Sequence, residues 1–334
     1  MAASFQNMTA AVTGATGFLG AHLTRRLLSE GARVRALVRH PEKAAALQAA
    51  GAEVVPFDLE REGDCAASLR GCDTVFHCAA VLNEYRPRSY YRLVNAEGTR
   101  RVASAAVEAG AARFVHVSTV WVYGLKGSSL DENAAYTTAR HHYTDTKIEA
   151  ERIVREMAAR QGLPAVIVQP SELYGPGDRA WTLRPLQLLK SGKMVLVGGG
   201  RAVLQFLYID DAVEGLLSAA RRGRPGERYI LCGRERLTLR EYVERLMALG
   251  NFKTPPALPA WLGYAAACLL EGAANIAGKK PDFTRQEIKA ILVEATYDGR
   301  KAREELEFEP SVTLDEGLRR VSAWIHEHPE LMDV

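Results

Sequence analysis

The sequence has few cysteines and none of the patterns in which cysteines hold a metal ion. Its 334 residues contain five. An odd, scattered set of this kind is typical of a reducing compartment, where cysteines serve as small apolar side chains. We therefore expect no metal site. The five are Cys65, Cys72, Cys78, Cys232 and Cys268, and no CxxC pair occurs among them.

The chain also lacks a block of like charge and a low-complexity tract. Its 43 basic and 40 acidic residues leave a net charge of +3, spread along the sequence, which gives nucleic-acid binding little support. A composition of 47% hydrophobic and 25% charged residues is ordinary for a soluble globular protein. The first apolar strand begins within about ten residues, which leaves no room for the apolar region of a signal peptide. We expect a cytoplasmic protein.

The first half of the chain alternates between patterns typical of strands and patterns typical of helices. Alternation of this length predicts parallel βαβ units with right-handed crossovers. The expected fold is therefore α/β, with a doubly wound parallel sheet. The predicted strands cover residues 10–12, 33–38, 53–57, 74–77, 113–117 and 165–168, and the predicted helices cover 41–50, 93–108 and 146–160.

A glycine-rich turn, TGATGFLG at residues 13–20, joins the first predicted strand to a helix. Gly14 permits a tight turn, and Gly17 lets the backbone approach phosphates without an intervening Cβ. Gly20 lets the helix pack closely on the strand, and the helix N-terminus offers free N–H groups to an anion. In the order strand, turn, helix, this pattern predicts binding of a dinucleotide pyrophosphate.

Tyr143 and Lys147 stand four positions apart in a predicted helix and so project from one face. An ammonium at about 4 Å, in an effective dielectric of about 20, stabilises a phenolate by about 4 kcal/mol. This supports a fall of up to about three units from the usual pKa of tyrosine, less the cost of desolvation. The pair predicts a proton-transfer site.

For several other polar residues we favour a structural role over a catalytic one. A second Tyr-x-x-x-Lys pair, Tyr297 and Lys301, lies in a charged segment near the C-terminus and is predicted to be a solvated helix start. His141 and His142 precede the predicted helix and are interpreted as loop or pocket-lip residues. His77, at a strand end among small residues, is interpreted as part of the core.

After Pro170 the regular alternation ends, and glycines and prolines cluster at 175–177 and 198–200. A chain of this length forms one large domain or two. We predict a dinucleotide-binding domain over 1–170, to which 203–232 return, and a smaller substrate lobe made of 171–202 and 233–334. The lobe is expected over the carboxyl ends of the strands, where such sheets bind their ligands.

Eight motifs follow one another along the chain in a characteristic order. They are TGATGFLG at 13–20, DL at 58–59, DTVFHCAA at 73–80, NAEGT at 95–99, STVWVYG at 118–124, Tyr143-x-x-x-Lys147, YGPGD at 174–178 and FLYIDD at 206–211. Together they resemble the extended short-chain dehydrogenase/reductase superfamily, the NAD(P)-dependent epimerase/dehydratase group. The resemblance covers nearly the whole chain.

The resemblance implies hydride exchange between nicotinamide and a substrate carbon, and it assigns the catalytic roles. Tyr143 moves the alcohol proton, while Lys147 tunes Tyr143 and grips the nicotinamide ribose. Thr119 is the first choice for the hydroxyl that holds the substrate oxygen, and Ser118 is the alternative. Asn95 resembles the family asparagine that supports the lysine through the backbone and water, with a helix-surface asparagine as the other reading. The family usually forms homodimers.

Arg39 ends the second predicted strand, where an acidic residue usually takes the ribose 2′-OH of NAD. The arginine fork suits a 2′-phosphate, so NADP(H) is favoured. NAD(H), with Arg39 stacked on adenine, is the alternative. Asp58 with Leu59 resembles the adenine-contacting pair of the family. The residues implied in cofactor binding are Gly14, Thr16, Gly17, Phe18, Leu19, Gly20, Arg39, Asp58, Leu59, Ala79, Ala80, Asn95, Ser118, Tyr143, Lys147 and Pro170.

Two residues argue against a nucleotide-sugar substrate. Leu204 stands where nucleotide-sugar epimerases and dehydratases usually carry an arginine that binds the sugar diphosphate. Glu172 stands where those enzymes often carry an asparagine. A missing cation and an added, unpaired carboxylate both disfavour a bound diphosphate.

The C-terminal third looks like the 3β-hydroxysteroid dehydrogenase branch, through LPAWLGY at 258–264, KPDFT at 280–284 and ATYD at 295–298. The apolar run 257–270 is too short to span a bilayer. A core helix is its first reading, and a lipid-pocket wall or an interfacial membrane anchor are the alternatives.

We therefore expect a dehydrogenase or reductase acting on a hydroxyl or ketone of an apolar, steroid- or terpenoid-like small molecule. A nucleotide-sugar epimerase or dehydratase is the second reading. A regulatory protein that binds NADP(H) without turnover is the third, and it is disfavoured because Thr119, Tyr143 and Lys147 are all present.

Overall fold

The computed structural model describes residues 5–61, 65–82, 85–281 and 283–332, and within them seven parallel strands form a central sheet. The sheet confirms the doubly wound α/β fold. Asp282 of the KPDFT motif lies outside the described residues. In chain order the described strands are β1 (Thr9–Thr13), β2 (Arg33–Val38), β3 (Glu53–Pro56), β4 (Thr74–His77), β5 (Arg113–Val117), β6 (Lys126–Leu130), β7 (Ala165–Pro170), β8 (Leu173–Tyr174), β9 (Leu196–Val197), β10 (Val203–Leu204), β11 (Leu207–Tyr208), β12 (Arg228–Leu231), β13 (Leu237–Thr238), β14 (Ala257–Leu258) and β15 (Glu294–Tyr297).

The helices surround this sheet and build a second lobe. Shorter 3-10 or π-helical segments lie at Pro41–Lys43, Arg92–Glu97, Val120–Tyr123, Arg179–Leu183, Gly198–Gly200 and Pro329–Met332. The described α-helices are α1 (Phe18–Ser29), α2 (Ala45–Ala49), α3 (Cys65–Leu69), α4 (Arg88–Tyr91), α5 (Gly98–Glu108), α6 (His142–Gln161), α7 (Arg184–Lys190), α8 (Ile209–Arg222), α9 (Leu239–Met247), α10 (Ala260–Ile276), α11 (Arg285–Ala290), α12 (Arg300–Leu306) and α13 (Leu314–Glu327).

The strand order of the central sheet is β12-β7-β5-β4-β1-β2-β3. The order reverses between β1 and β4, which both pair in parallel with neighbours on either side. In sheets of this kind the reversal opens a crevice at the carboxyl ends of the strands, and ligands bind there. The loops that follow β1, β4 and β5 therefore meet at one edge.

Helices cover both faces of the sheet, which explains why its strands read as continuous apolar runs. One face packs against α1, α8 and α12, through residues such as Leu27, Leu216 and Leu306. The other packs against α3, α5 and α6, through residues such as Val102 and Val154. Each fully buried aliphatic side chain contributes about 1.5–3 kcal/mol to folding.

The helix boundaries differ from the predicted ones in three places. The helix expected over 41–50 is a 3-10 turn at Pro41–Lys43 followed by the short α2. The helix expected over 93–108 starts earlier, as α4, and runs through a π-helical segment before α5. α6 starts at His142 rather than 146, and the ring of His141 caps it by accepting a hydrogen bond from the Thr144 N–H at 3.5 Å.

The second lobe has its own core, formed by aromatic and aliphatic residues that include Tyr174, Phe206 and Tyr242. β10 pairs with β13, and β11 pairs with β8, outside the central sheet. Within 203–232, α8 packs on the central sheet and β12 pairs with β7. The division of the chain into two domains stays a prediction.

Helix α10 contains most of the apolar run 257–270, and it lies on the surface. Its buried residues are Gly263, Ala267, Glu271 and Ala274. The core-helix reading is therefore wrong, because the large apolar side chains of α10 point away from the body of the protein. Among the described residues, no helix is both long and apolar enough to cross a membrane.

Candidate active site

The loop between β1 and α1 has the close contacts that only glycine allows. Gly14 adopts a φ of +67°, and a Cβ there would lie 2.8 Å from the Cα of Ala79. A Cβ on Gly20 would overlap with the carbonyl oxygen of Gly14. The loop is therefore compressed between α1 and the segment that follows β4, as the glycine spacing predicted.

The N-terminus of α1 is open for an anion. Gly17 is the N-cap residue, and no side chain caps the helix there. Thr16 and Gly17 are exposed, whereas Phe18 and Leu19 are partly buried and pack against the core of the second lobe. The first N–H groups of a helix have no partner within the helix, so this end suits a pyrophosphate.

A buried chain of hydrogen bonds supports the glycine loop from below. The N–H of Ala79 donates to Thr13 Oγ1 at 3.2 Å, and Thr13 Oγ1 lies 2.8 Å from His77 Nδ1. His77 Nε2 lies 2.9 Å from Thr99 Oγ1. Burial, with a smaller contribution from Lys147, lowers the pKa of His77 to about 3. His77 is a neutral core residue, as its sequence context predicted.

Arg39 follows β2 at the same edge of the sheet. Its guanidinium donates to Glu60 Oε1 at 2.7 Å and to the Tyr90 hydroxyl at 3.2 Å. The Tyr90 hydroxyl donates to the same oxygen of Glu60 at 2.7 Å. Arg39 and Glu60 remain partly exposed. Sequence reasoning missed Glu60, which carries no motif and lies two residues after Asp58.

The remaining candidates for cofactor binding lie around this edge. Asp58 accepts a hydrogen bond from the Glu60 N–H at 3.0 Å, and Leu59 is buried against Gly98. Ala79 and Ala80 follow β4, with Ala80 exposed. Pro170 is the buried last residue of β7.

Asn95 is buried, so its reading as a surface residue is wrong. Its side chain accepts from the Val81 N–H at 2.7 Å and donates to the Val81 carbonyl at 3.1 Å. It also donates to Thr146 Oγ1 at 3.1 Å. The Thr146 hydroxyl in turn donates a hydrogen bond to the His142 carbonyl of α6. Asn95 thus links the loop after β4 to the helix that carries Lys147.

The side chain of Thr119 lies near the phenol of Tyr143. Its influence acts to lower the pKa of Tyr143, against the larger effect of burial. Thr119 also caps the 3-10 turn Val120–Tyr123 by accepting from the Trp121 N–H at 3.3 Å. The Ser118 hydroxyl is buried and has no hydrogen-bond partner among the described residues. The structure thus brings Thr119, the first choice, to the tyrosine.

Lys147 is buried one helical turn beyond Tyr143. Its Nζ donates to the Val117 carbonyl at 2.6 Å and lies 3.5 Å from His116 Nε2. Burial lowers the pKa of Lys147 to about 8, and the charge of Glu151 opposes that fall.

The expected lowering of the Tyr143 pKa by Lys147 stays a prediction. Burial raises the pKa of Tyr143 well above its usual value, and Glu151 adds to the rise. The Lys147 ammonium donates to the Val117 carbonyl, a bond of which the sequence gives no sign.

A buried network beneath Lys147 was also missed. Glu151 accepts hydrogen bonds from Tyr136 at 2.7 Å and from the Gln169 amide at 2.9 and 3.1 Å. The carbonyl oxygen of Gln169 in turn accepts from Tyr123 at 2.7 Å. Glu151 could have been found from its spacing, because it lies four residues after Lys147 on the same face of α6.

The surroundings of Tyr143 are aromatic. The ring of His141 lies edge-on to Trp121, at 5.8 Å, and to Tyr143, at 6.5 Å. Burial lowers the pKa of His141 to about 4, so its ring is neutral at pH 7. His141 is thus the buried cap of α6, whereas His142 is the first residue of the helix.

Glu172 is buried but paired, so the expectation of an unpaired carboxylate is wrong. It accepts hydrogen bonds from Trp121 Nε1 at 3.0 Å and from the Gln205 N–H at 3.3 Å. Burial is the main cause of its raised pKa. Leu204 is buried in the core of the second lobe.

The second Tyr-x-x-x-Lys pair is not part of this site. Tyr297 is a buried residue at the end of β15, and it is not the solvated helix start that the sequence suggested. Lys301 lies in α12 and forms an ion pair with Glu227 at 2.6 Å.

Comparison with known proteins agrees with this arrangement. The model of the NAD dependent epimerase/dehydratase family matches residues 10–232. A 4-hydroxy-2-methyl-3-oxo-4-farnesyl-3,4-dihydroquinoline-1-oxide ketoreductase from Stigmatella aurantiaca is 31% identical, over 92% of this chain and 93% of its own length. A 3 beta-hydroxysteroid dehydrogenase/Delta 5-->4-isomerase from Mycobacterium tuberculosis is 29% identical, over 92% and 87%.

Among solved structures, this fold is similar to DesIV, a dTDP-glucose 4,6-dehydratase from Streptomyces venezuelae with NAD and TYD bound. The two share a TM-score of 0.80 and 26% identity, over 97% of this chain and 98% of DesIV. These similarities extend over almost the whole chain. The protein belongs to the NAD-dependent epimerase/dehydratase family and is an NAD(P)-dependent enzyme of the extended short-chain type.

Proposed function

We propose that the protein is an NADP(H)-preferring dehydrogenase or reductase, acting on a hydroxyl or ketone carbon of an apolar, steroid- or terpenoid-like substrate. The observation that carries this proposal is the approach of the Thr119 side chain to the Tyr143 phenol, which acts to lower the pKa of Tyr143. Tyr143 lies one helical turn from the buried Lys147, at the sheet edge where the glycine loop also opens.

The chain's own residues fit a dinucleotide. The glycine loop leaves no room for a Cβ at Gly14 or Gly20, and the uncapped start of α1 suits the pyrophosphate. Arg39 supplies a guanidinium that suits a ribose 2′-phosphate. When bound, the nicotinamide accepts or donates a hydride.

Tyr143 is the proposed acid and base for the substrate oxygen. Its phenol stays protonated at neutral pH because burial raises its pKa, so in the reductive direction it is ready to donate a proton. Thr119 holds the same oxygen through its hydroxyl. Lys147, in the same buried region, positions the nicotinamide ribose and remains largely protonated below about pH 8.

The substrate class is proposed from the side chains around Tyr143. Trp121 and the neutral His141 present ring surfaces, and Glu172 fixes the indole of Trp121 through a hydrogen bond. An apolar ring system gains about 25 cal/mol for each Å² of surface that it buries. A diphosphate would need cations, and the buried carboxylate of Glu172, which is hydrogen-bonded to Trp121, would disfavour it.

Two relatives support this class without deciding it. One is a ketoreductase whose substrate carries a farnesyl group, and another is a steroid dehydrogenase. DesIV, a dehydratase of a nucleotide sugar, supports the second reading. We further propose a cytoplasmic homodimer, and contact with a membrane surface through 257–270.

NADPH consumption over ketosteroids, terpenoid ketones and nucleotide sugars tests the proposal. A ketosteroid or terpenoid ketone should be turned over. Tyr143→Phe should lower kcat at least about 100-fold, because a general acid has been removed. Its affinity for NADPH should change little. Tyr297→Phe removes the hydroxyl of the other Tyr-x-x-x-Lys pair and should retain parental activity.

Other outcomes would contradict the proposal. Turnover by Tyr143→Phe within a few-fold of the parent would show that another residue carries the proton. Micromolar binding of a UDP- or dTDP-sugar, with no turnover of any lipid ketone, would favour the epimerase or dehydratase reading. Cofactor binding without turnover of any substrate class would favour a regulatory protein.

A further inference from the structure

Helix α10 presents a wide apolar surface to solvent. Leu269 and Ile276 are 76% and 92% exposed, and Trp261 is 71% exposed. The spacing of these three residues places them on one side of the helix. Burial of exposed side chains of this size is the main driving force for association with another apolar phase. The apolar face of α10 consists of Trp261, Leu262, Tyr264, Leu269, Leu270 and Ile276.

The one charged residue of α10 is turned towards the protein. Glu271 is buried and accepts hydrogen bonds from the Arg285 N–H at 2.7 Å and from Arg285 Nε at 2.6 Å. The exposed side of the helix therefore carries no charge, although it faces water. An ordinary surface helix places its charged residues on that side.

A basic cleft lies at the C-terminal end of α10. It has a volume of about 540 Å³ and is open to solvent. Its described lining includes Lys279 and Lys280, whose ammonium groups attract anions. Asn83 and Glu84, like Asp282, lie outside the described residues. The basic cleft is lined by Tyr85, Arg86, Ala274, Asn275, Gly278, Lys279 and Lys280.

We propose that α10 docks on an anionic phospholipid surface, with its apolar face in the headgroup boundary and a lipid phosphate in the basic cleft. Trp261 and Tyr264 suit this boundary, because their rings are apolar with one polar end. The helix is about 26 Å long at 1.5 Å per residue and lies along the surface. Lys279 and Lys280 pair with the headgroup charge.

A second copy of the chain fits this surface less well. In a two-fold dimer the same patch meets itself, so the interface would carry Lys279 and Lys280 twice. Like charges at an interface oppose association. An anionic membrane satisfies both halves of the surface at once, because it offers hydrocarbon to the apolar face and phosphate to the cleft.

The docked surface borders the active-site edge. Tyr85 of the cleft donates a hydrogen bond to Asn275 of α10 at 2.7 Å. Tyr85 belongs to the loop that leaves β4 through Ala79 and Val81, and Leu82 of this loop is exposed. Docking would bring an apolar alcohol or ketone dissolved in the bilayer close to this edge, and in that respect it rests on the function proposed above.

Vesicle flotation of the full-length protein, without substrate, tests the docking. Vesicles of phosphatidylcholine mixed with phosphatidylglycerol should carry the protein, and phosphatidylcholine alone should carry far less. Leu269→Ser and Ile276→Ser should each weaken partition about tenfold. Changing Lys279 and Lys280 to Ala should weaken it about fivefold per lysine, on the anionic vesicles only.

The matched control is Leu93→Ser, which removes an exposed apolar side chain from a different element, the segment Arg92–Glu97. It should float as the parent does, and every variant should bind cofactor as the parent does. Equal flotation with both vesicle types, or unchanged flotation of the Leu269 and Ile276 variants, would overturn the proposal.

Two further results would replace the proposal with another occupant. A parent dimer that dissociates in Leu269→Ser, measured by light scattering, together with absent vesicle binding, would assign the apolar face to a second copy. Binding of free glycerol phosphate without vesicle binding would show that the basic cleft binds soluble anions and not a membrane. Turnover of a short, water-soluble ketone tests the proposed reaction independently of vesicles. If the parent protein reduces this ketone but does not bind vesicles, the docking proposal is wrong and the proposed function stands.

Discussion

Arg39 reaches the expected ribose end of the cofactor site with a partner already in place. Its guanidinium donates to Glu60, and Tyr90 donates to the same carboxylate. A 2′-phosphate bound at Arg39 would share these donors with Glu60 and would be repelled by its charge. Glu60 therefore competes with the phosphate from within the protein, and it sets how strongly the site can prefer NADPH.

We expect Arg39→Ala to weaken NADPH binding about ten- to hundredfold, the range for loss of hydrogen bonds to a charged group, and to leave NADH nearly unaffected. Glu60→Gln should strengthen NADPH binding, because it removes the competing charge. Calorimetric titration of both cofactors measures these changes. Arg33→Ala, which removes an exposed arginine from the opposite, amino end of β2, is the control and should leave both affinities unchanged.

Equal losses of NADPH and NADH affinity in Arg39→Ala would show that Arg39 stacks on adenine instead. Unchanged NADPH affinity in Glu60→Gln would mean that the carboxylate moves aside when the cofactor binds.

Helix α6 carries Tyr143 and Lys147, the residues proposed for proton transfer, together with Glu151. Tyr143, Lys147 and Glu151 are each four residues apart, so they follow one side of the helix from the active-site edge into the core. Glu151 is completely buried and is held by Tyr136 and Gln169. Its charge raises the pKa of Lys147, against the larger lowering by burial.

We therefore predict that Glu151 acts on catalysis through Lys147. The Lys147 ammonium is lost as the pH rises through about 8, so kcat/KM that depends on it should fall above that pH. Glu151→Gln removes the supporting negative charge, and the fall should move to lower pH. The pH profile of kcat/KM measures this shift.

Glu149→Gln on the same helix is the matched control, because Glu149 pairs with the surface residues Arg88 and Arg92. Its profile should match that of the parent. An alkaline limb that stays in place in Glu151→Gln, with cofactor affinity intact, would show that Glu151 only packs the helix.

At this scale the sequence predicts strands better than helix surroundings. The central strands match their expected positions within about two residues, because a strand covered on both faces needs a continuous apolar run. The position of α10 could not be read in the same way. An apolar run indicates that a helix is favourably removed from water. It does not indicate whether the rest of the protein or another apolar phase covers the helix.

In the candidate site, the features that the sequence predicts are local in the chain, and those that it does not predict join distant residues. Gly14, Gly20 and the Tyr143–Lys147 spacing are local patterns, and the structure places them at one edge of the sheet. The partners of Glu60 and Lys147 are not local. Tyr90 lies 30 residues from Glu60, and Val117 lies 30 residues from Lys147, so only the folded chain reveals these bonds.

The whole molecule contains buried histidines that make its stability depend on pH. Among the described residues, His77, His116 and His141 are buried, and burial lowers the pKa of each. The hydrogen bonds of His77 also favour its neutral form. Thr99 donates to the Asn95 carbonyl, so it accepts from His77 Nε2–H, and His77 Nδ1 then accepts from Thr13. A proton on Nδ1 would break that last bond, next to the glycine loop.

We expect the free energy of unfolding to fall as the pH drops below about 6.5, the pKa of histidine in an unfolded chain. The folded state resists protonation of His77 down to about pH 3, whereas the unfolded chain takes up the proton, so acid favours unfolding. At pH 5 this difference amounts to about 2 kcal/mol for His77. Urea denaturation at neutral pH and at pH 5 measures how much the free energy of unfolding falls between the two. In His77→Asn this fall should be smaller than in the parent by about this amount. His40→Asn, at an exposed site, is the control, and its free energy of unfolding should fall as much as that of the parent. If His77→Asn also falls as much as the parent, His77 is not the group that titrates.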